Sequence, residues 1–364
     1  MSRVHATLAR WLLALATLLA LPQAGRAEPY LAVQAGLKCV ACHVNPTGGG
    51  LRNALGVAFA QNSLPANKLP DALSGWTGSF LDERLRVGGD YRGSSTRSSV
   101  RGQATQRDTG TDQARVYVDL QLVRNHVGVH LDEKIAPGRA ERLEAYARLT
   151  TADQAWYLKA GQFYQPFGWR LQDGTAFVRS VSGIGMTVPD KGIELGLERD
   201  RWSAQLAYVR TPGGAADGHQ AIAQFVWLQD WGRLGGALAS TRADGNRREA
   251  WGLFGGTRTG PVAWLAELDL VRDDSYPEGR RTLLAGLLEA NWLIRQGHNL
   301  KATAELFDPD RRIAHDHKVR HSLVYEYMPI PFVQLRAGYR RYGGIPQNNF
   351  DNRRQSFVEV HGLF

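Results

Sequence analysis

Cysteine and methionine are scarce in this chain: 364 residues contain two Cys and three Met. Two cysteines exclude a disulfide-rich scaffold and a zinc site built from Cys alone. No run of 18 or more apolar residues occurs and mean hydropathy is slightly negative, so membrane-spanning helices are excluded. Acidic residues are absent between Glu28 and Asp71, whereas Lys38, Arg52 and Lys68 fall in that stretch. Disorder does not fit a composition that is 43% hydrophobic and 22% charged. What remains is a soluble domain, or a protein that meets a membrane with alternating strands.

Residues 1–27 carry Arg3 and Arg10, an apolar stretch from Trp11 to Leu21, and a small-residue end, Ala24-Gly25-Arg26-Ala27. This is the pattern of a secretory signal peptide cleaved after Ala27. The apolar run is too short for a membrane anchor. The segment holds three Arg and no acid, so the formal +9 becomes 9 − 3 = +6 in the mature chain. That residual charge fits loops and a lumen, and no nucleic-acid partner is expected.

From Lys38 the chain reads KCVACHVNPTGGGLRNALGVAFAQNSLP. Cys39, Cys42 and His43 form Cys-x-x-Cys-His, the attachment signature of haem c. Two thiols can add to two vinyl groups of one macrocycle while the adjacent imidazole reaches the iron. A disulfide across so short a loop would constrain the unfolded chain little. A thioredoxin-like pair lacks its βαβ context, and zinc lacks a fourth ligand nearby. Leu51, Ala54, Leu55, Ala58 and Phe59 recur at helical spacing, predicting an apolar stripe over one haem face. Gly48-Gly49-Gly50 allows tight turning or close approach. Lys38, Arg52 and Lys68 are candidates to pair with propionates. Forty-odd residues make a thin core for an independent domain. With no Met or second His in 28–75, the sixth iron ligand has to come from elsewhere or be absent.

From about Trp76 the periodicity changes to two. Ala114, Val116, Val118, Leu120 and Leu122 alternate with Arg115, Tyr117, Asp119 and Gln121; Val262, Trp264, Ala266, Leu268 and Leu270 form another apolar face. The pattern predicts about sixteen strands: 81–92, 113–123, 127–134, 140–150, 155–163, 191–198, 201–210, 220–229, 232–241, 247–257, 261–272, 281–294, 299–307, 318–327, 332–340 and 354–364. Short connections alternate with long polar ones such as 93–112, 164–190, 273–280, 308–317 and 341–353, as in transmembrane barrels. Trp156, Trp202, Tyr208, Trp227, Trp264 and Trp292 suit interfacial girdles. The terminal Phe364 suits an outer-membrane strand. A soluble β-sandwich would want more continuous burial and fewer charges opposite the apolar face. The expected fold is an all-β transmembrane barrel of about 16 antiparallel strands (76–364) with a small N-terminal α-helical c-type haem domain (28–75).

YLKAGQFYQPFG (157–168), the long loop after it and DKGIELGLE (190–198) resemble porins of the phosphate-selective superfamily. That likeness implies that the loop at 164–190 folds inward and constricts the pore. The order of signal peptide, single Cys-x-x-Cys-His, helical segment and porin resembles the fused monohaem cytochrome–porins of iron-oxidising bacteria. This second resemblance implies a haem plug in a barrel of a Gram-negative outer membrane. Its partners would be extracellular Fe(II) or another external donor, a periplasmic electron-transfer cytochrome, and outer-membrane lipid. It also raises the possibility of an Fe(II)-oxidising oxidoreductase.

Candidates for the sixth ligand are Met186 in the inward loop, His361 on the last strand and His130 on the third, with His298 and Met328 on short turns. His315 and His317, with Asp308, Asp310 and Asp316, form an external loop able to attract Fe(II). The alternative is an anion- or solute-selective porin with a small plug, its selectivity set by Arg115, Arg142, Arg148 and Lys159. A sheath around another cytochrome is a third possibility.

Overall fold

A computed structural model describes residues 28–70, 75–186, 188–210 and 218–364. The expected signal peptide, 1–27, lies outside the described residues. Sixteen long strands form the wall: β1 Leu85–Ser99, β2 Gln106–Val123, β3 Val127–Ala136, β4 Glu141–Thr150, β5 Trp156–Phe163, β6 Asp190–Arg199, β7 Trp202–Arg210 and β8 His219–Gln229. There follow β9 Gly232–Ala243, β10 Asn246–Thr259, β11 Val262–Asp273, β12 Arg281–Arg295, β13 His298–Asp308, β14 Lys318–Tyr327, β15 Val333–Gly343 and β16 Arg354–Leu363. Each pairs antiparallel with its chain neighbours, and β16 closes on β1, from Arg354 opposite Ser99 to Leu363 opposite Asp90. Closure removes every edge, so backbone groups are satisfied without water.

The alternation assigns faces as the sequence predicts. On β2, Arg115, Tyr117 and Asp119 are buried, while Val116, Leu120 and Leu122 are exposed on the outer face. On β11, Leu265, Glu267 and Asp269 are buried and Trp264 and Leu268 exposed. Outward leucines and valines therefore form the apolar belt that lipid covers. Trp156, Trp227, Trp264 and Trp292 are exposed beside short turns, where an aromatic girdle belongs.

Short turns at 124–126, 151–155, 200–201, 230–231, 260–261, 296–297 and 328–332 share one rim. Two expectations need correction. The stretch 93–112 is not a loop, because β1 and β2 run on as a hairpin beyond the apolar belt. Its polar, outer-end residues carry no period-two apolar signal; cross-strand pairing holds them, as between the Ser95 and Thr109 hydroxyls at 2.8 Å. Residues 81–84, expected as strand, form a turn in which Leu81, Asp82 and Glu83 take positive φ. It folds a two-residue strand, Ser79–Phe80, back onto β1.

Residues 28–70 sit inside the barrel. They contain α1 (Pro29–Ala35), a 3₁₀ turn at Cys39–Ala41 and α2 (Ala54–Asn62). Bonds from this plug reach around the wall. Lys301 on β13 contacts Glu28 at 3.1 Å, Tyr30 donates to Glu326 on β14 at 2.9 Å, and Asn45 donates to Glu144 on β4 at 3.3 Å. Lys38 pairs with Glu198 on β6 at 2.6 Å. The plug also meets the short-turn rim, through Ala66 N to Met328 O (2.8 Å) and Gln296 to Asn62 O (3.0 Å). The predicted stripe on α2 is rotated: Val57 and Ala60 are buried, Leu55 is exposed, and only Phe59 keeps its expected part. The reason is that α2 packs sideways against Phe332 and Leu363 of the barrel, a partner no local periodicity reveals.

The connection between β5 and β6 folds inward, as the resemblance to constricted porins implies. It carries α3 (Phe177–Ser182), whose Arg179 pairs with Glu267 on β11. The indole of Trp169 donates to Ala266 O at 3.1 Å, and Phe177 N donates to Glu305 at 2.8 Å. Plug and loop thus enter the lumen and meet there.

Candidate functional site

Cys39, Cys42 and His43 all line one cavity at the junction of plug, inward loop and wall. It encloses about 1130 Å³ of space free of atoms, its solvent mouth included. Leu31, Leu37 and Phe59 of the plug, Trp169 of the loop, and Val226 and Phe254 of the wall make it mostly apolar.

The motif is held rigidly from behind. Asn53 donates to Val40 O at 3.1 Å and to Ala41 O at 3.0 Å, while its Oδ1 accepts from Gly56 N at 3.0 Å as the cap of α2. Asn53 N donates to Cys42 O, and Val44 N to Leu51 O, both at 3.0 Å. A Cβ on Gly56 would lie 2.1 Å from Cys42 O, so the helix touches the motif backbone with no room to spare. At Gly48 φ is +91°, and a Cβ would lie 3.0 Å from Cys39 Cβ and 3.2 Å from its Sγ. Glycine there leaves the first thiol its space.

Both cysteines are unbridged and partly exposed to the cavity. Burial pushes the Cys42 thiol pKa up. His43 is buried, and neither ring nitrogen completes a hydrogen bond, although the Gly50 and Leu51 backbone lies near the ring. Burial, and secondarily the Arg52 cation, push its pKa down to about 3. The imidazole is thus neutral at physiological pH, the state in which it can bind a metal. Two free thiols, an unpartnered buried imidazole and glycine-cleared space fit the demands of a covalent haem c.

The sixth-ligand candidates separate. Met186 reaches the cavity wall: a Cβ on Gly49, which lines the cavity, would lie 2.5 Å from Met186 Cε and 3.5 Å from its Sδ. His130 stacks on Tyr146 at 5.0 Å and faces Asp119 at 3.8 Å, away from the cavity lining. His361 is fully buried, with Nδ1 3.0 Å from Gln334 Oε1 and Nε2 3.5 Å from Asp90. His298 stacks on Tyr327 at 4.6 Å, and Met328 packs with the α2 cluster. At the external loop, Asp310 is engaged by Arg312 at 2.7 Å. No group of three His, Cys, Asp or Glu able to hold a metal ion occurs among the described residues.

Lumen charges meet partners. Arg115 pairs with Asp132, Lys159 with Glu194 at 2.8 Å, and Arg148 donates to Val44 O of the plug. Arg142, expected inside, is instead exposed and bonded to Glu133 at 3.2 Å. The β3–β4 ladder is irregular beside Glu133, and this accompanies its outward placement. Of the expected propionate partners, Arg52 lines the cavity, Lys38 lines it but is taken by Glu198, and Lys68 is exposed elsewhere. Arg170, Arg233 and Asn53 were not singled out by sequence, since only folding brings them to Cys-x-x-Cys-His.

No family model and no curated protein matches the chain by sequence. Solved structures match it by fold. OprB of Pseudomonas putida superposes with a TM-score of 0.63 at 11% identity, over 78% of this chain and 95% of that one. OmpT of Vibrio cholerae gives 0.59 at 11% identity, over 79% and 100%. An anion-selective porin from Comamonas acidovorans gives 0.60 at 12% identity, over 77% and 99%. At these identities the likeness carries the fold: a sixteen-stranded barrel of the outer-membrane porin type. The apolar outer belt agrees with a barrel wall that faces lipid.

Proposed function

We propose that this porin-fold protein transfers electrons across the outer membrane through one covalent haem c, attached at Cys39 and Cys42 with His43 as proximal ligand. The observation that carries this reading is the convergence of all three motif residues on one apolar cavity inside the barrel. When bound, the haem supplies reversible one-electron chemistry. The chain's residues do the rest. His43 offers a neutral, otherwise unbonded nitrogen, and Asn53 fixes the peptide that carries both thiols. Trp169 and Phe254, with ring centroids 5.3 Å apart, help to wall the cavity off from water. Met186 is the sixth ligand we favour, since its side-chain end lies beside Gly49, which lines the cavity, whereas His130 faces Asp119 and His361 faces Gln334 and Asp90.

Extracellular Fe(II) is the proposed donor and a periplasmic cytochrome the proposed acceptor. An apolar layer of about 30 Å separates the two sides, and a porin wall alone offers electrons no path across it. The plug lies at the short-turn rim, which in outer-membrane barrels faces the periplasm. That position supports a periplasmic acceptor for the motif. The test is to produce the full chain with haem-attachment machinery and assay for one covalent haem per chain. Reconstituted in liposomes, it should then pass electrons from external Fe(II) to an enclosed cytochrome. Protein that folds as a barrel but takes up no haem would refute the proposal.

A second reading, a solute-selective porin with a redox-inactive plug, is favoured by the fold likeness to porins, one of them described as anion-selective. It predicts large, stable conductance in planar bilayers that is independent of haem. Against it stand the plug bonds around the lumen and the pairing of Arg115 and Lys159 with acids, which offsets their charge.

A further inference from the structure

Most buried cations in this lumen are matched. Lys159 has Glu194, Arg179 has Glu267, Arg320 has Glu305, and Lys301 has Glu28. Two guanidinium groups at the cavity are different. Arg233, on β9, is 3% exposed and makes no ion pair with any carboxylate among the described residues. Its Nη2 donates to two plug carbonyls, Ala32 O at 3.1 Å and Leu37 O, and its Nε is buried without a partner. Arg170, in the inward loop, likewise has no acid. It donates to Thr47 Oγ1 and, at 2.9 Å, to Tyr164 O, and its Nε too is buried and unpartnered. Both side chains line the cavity that holds Cys39, Cys42 and His43. Arg233 also lies beside Cys39 and sits over the Trp169 ring at 5.7 Å.

A guanidinium that meets carbonyl, hydroxyl and thiol groups but no carboxylate bears a desolvation cost that an anion would offset. Arginine favours carboxylates, whose two oxygens match its forked N–H groups. The acids lining the same cavity, Glu28 and Glu198, are held by Lys301 and Lys38. A carboxylate on a ligand would supply the acid that neither guanidinium has.

We infer that Arg170 and Arg233 form a carboxylate clamp for the occupant of this cavity. The inference rests on the proposed function when the carboxylates are haem propionates, and it stands without it when they belong to a free carboxylate solute. In the first case the clamp contributes, with the Cys39 and Cys42 thioethers, to fixing the macrocycle in the lumen. Each arginine also adds positive charge near the iron, which favours the reduced state.

The test uses the full chain made with haem-attachment machinery, as wild type, Arg233→Gln, Arg233→Lys and Arg170→Gln. Heat-modified gel mobility verifies that each barrel is folded. If wild type carries haem, both Gln variants should keep one covalent haem per chain. They should also lower its reduction potential and shift the propionate bending bands in resonance Raman spectra. Arg233→Lys should restore the potential more than the Raman bands, since it returns charge without the fork. Unchanged potential and Raman bands in both Gln variants would overturn the clamp. If wild type carries no haem, the proposed function fails separately, and the clamp is then tested with succinate by calorimetry. Binding that weakens at least tenfold in Arg233→Gln supports a free-carboxylate site; no succinate binding to wild type overturns it.

Discussion

Asn53→Ala is the sharpest probe of how the plug presents its thiols. The substitution removes the cap that accepts from Gly56 N and two donations, to Val40 O and Ala41 O. Loss of an Asn cap costs about 1 kcal/mol, and each hydrogen bond contributes about 1 kcal/mol net. The sum is about 3 kcal/mol, and with partial compensation by water about 2 kcal/mol remains. At 1.4 kcal/mol per factor of ten, local opening of 39–56 should rise roughly 30- to 150-fold. Hydrogen exchange on the haem-free barrel reads this directly at the amides of Val44, Asn53 and Val57, whose acceptors are Leu51, Cys42 and Asn53. Strands β9–β12 act as the internal control, because their protection depends on barrel closure. The reactivity of Cys42 toward a maleimide should rise in parallel, since that thiol is now half-buried. Unchanged exchange across 39–56, with the barrel intact, would refute the idea that Asn53 braces the motif.

Other consequences can be measured independently. Replacing Cys39 and Cys42 by Ser should abolish covalent haem while leaving the barrel's heat-modified mobility unchanged, because neither thiol contributes to wall pairing. Gly56→Ala should reduce haem incorporation more than barrel yield. Its new methyl would sit 2.1 Å from Cys42 O, and mass spectrometry of the purified chain gives the attached fraction. Lys301→Met should destabilise the plug by about 3–5 kcal/mol, by stranding buried acids. Those acids are Glu28, Glu289 and Glu326, and protease sensitivity of 28–70 is the readout. Asp173 of the inward loop contacts Arg320 and Arg340, each at 3.0 Å. Burial alone would raise its pKa, but Arg340 and Arg320 outweigh it and hold the carboxyl well below the usual range. The docked loop thus binds a proton less readily than the released loop, so docking is strongest above about pH 4 and weakens as pH falls below it. Bilayer conductance should rise in acid below that point, and Asp173→Asn should show the rise already at neutral pH. A flat conductance profile in both would refute this role.

Much of the wall was legible from the residues. Alternation at 114–122 and 262–270 follows from a lipid outside and a polar lumen, two solvents that each strand must face at once. The outer end of the β1–β2 hairpin was not legible, because it extends past the lipid, where both faces are polar and the period-two contrast disappears. The α2 stripe was misread for a related reason: its periodicity was sought against a haem, whereas the barrel wall at Phe332 and Leu363 claims the Val57–Ala60 face. Arg142 shows how an irregular ladder defeats a simple count of faces.

The chain's local chemistry determined the strands, their faces, the short-turn rim and the Cys39, Cys42 and His43 signature. Each of these depends on neighbours in sequence, through spacing, alternation or turn composition. Only the closed barrel decided what surrounds that signature. Arg233 lies 190 residues and more from the motif, and Trp169, Arg170 and Met186 lie over 120 residues away, yet they meet it at one cavity. The physical reason is closure itself: a wall that returns β16 to β1 forces plug and inward loop into one shared lumen. Which polar groups then go unpaired is set by that shared space, and no local pattern records it.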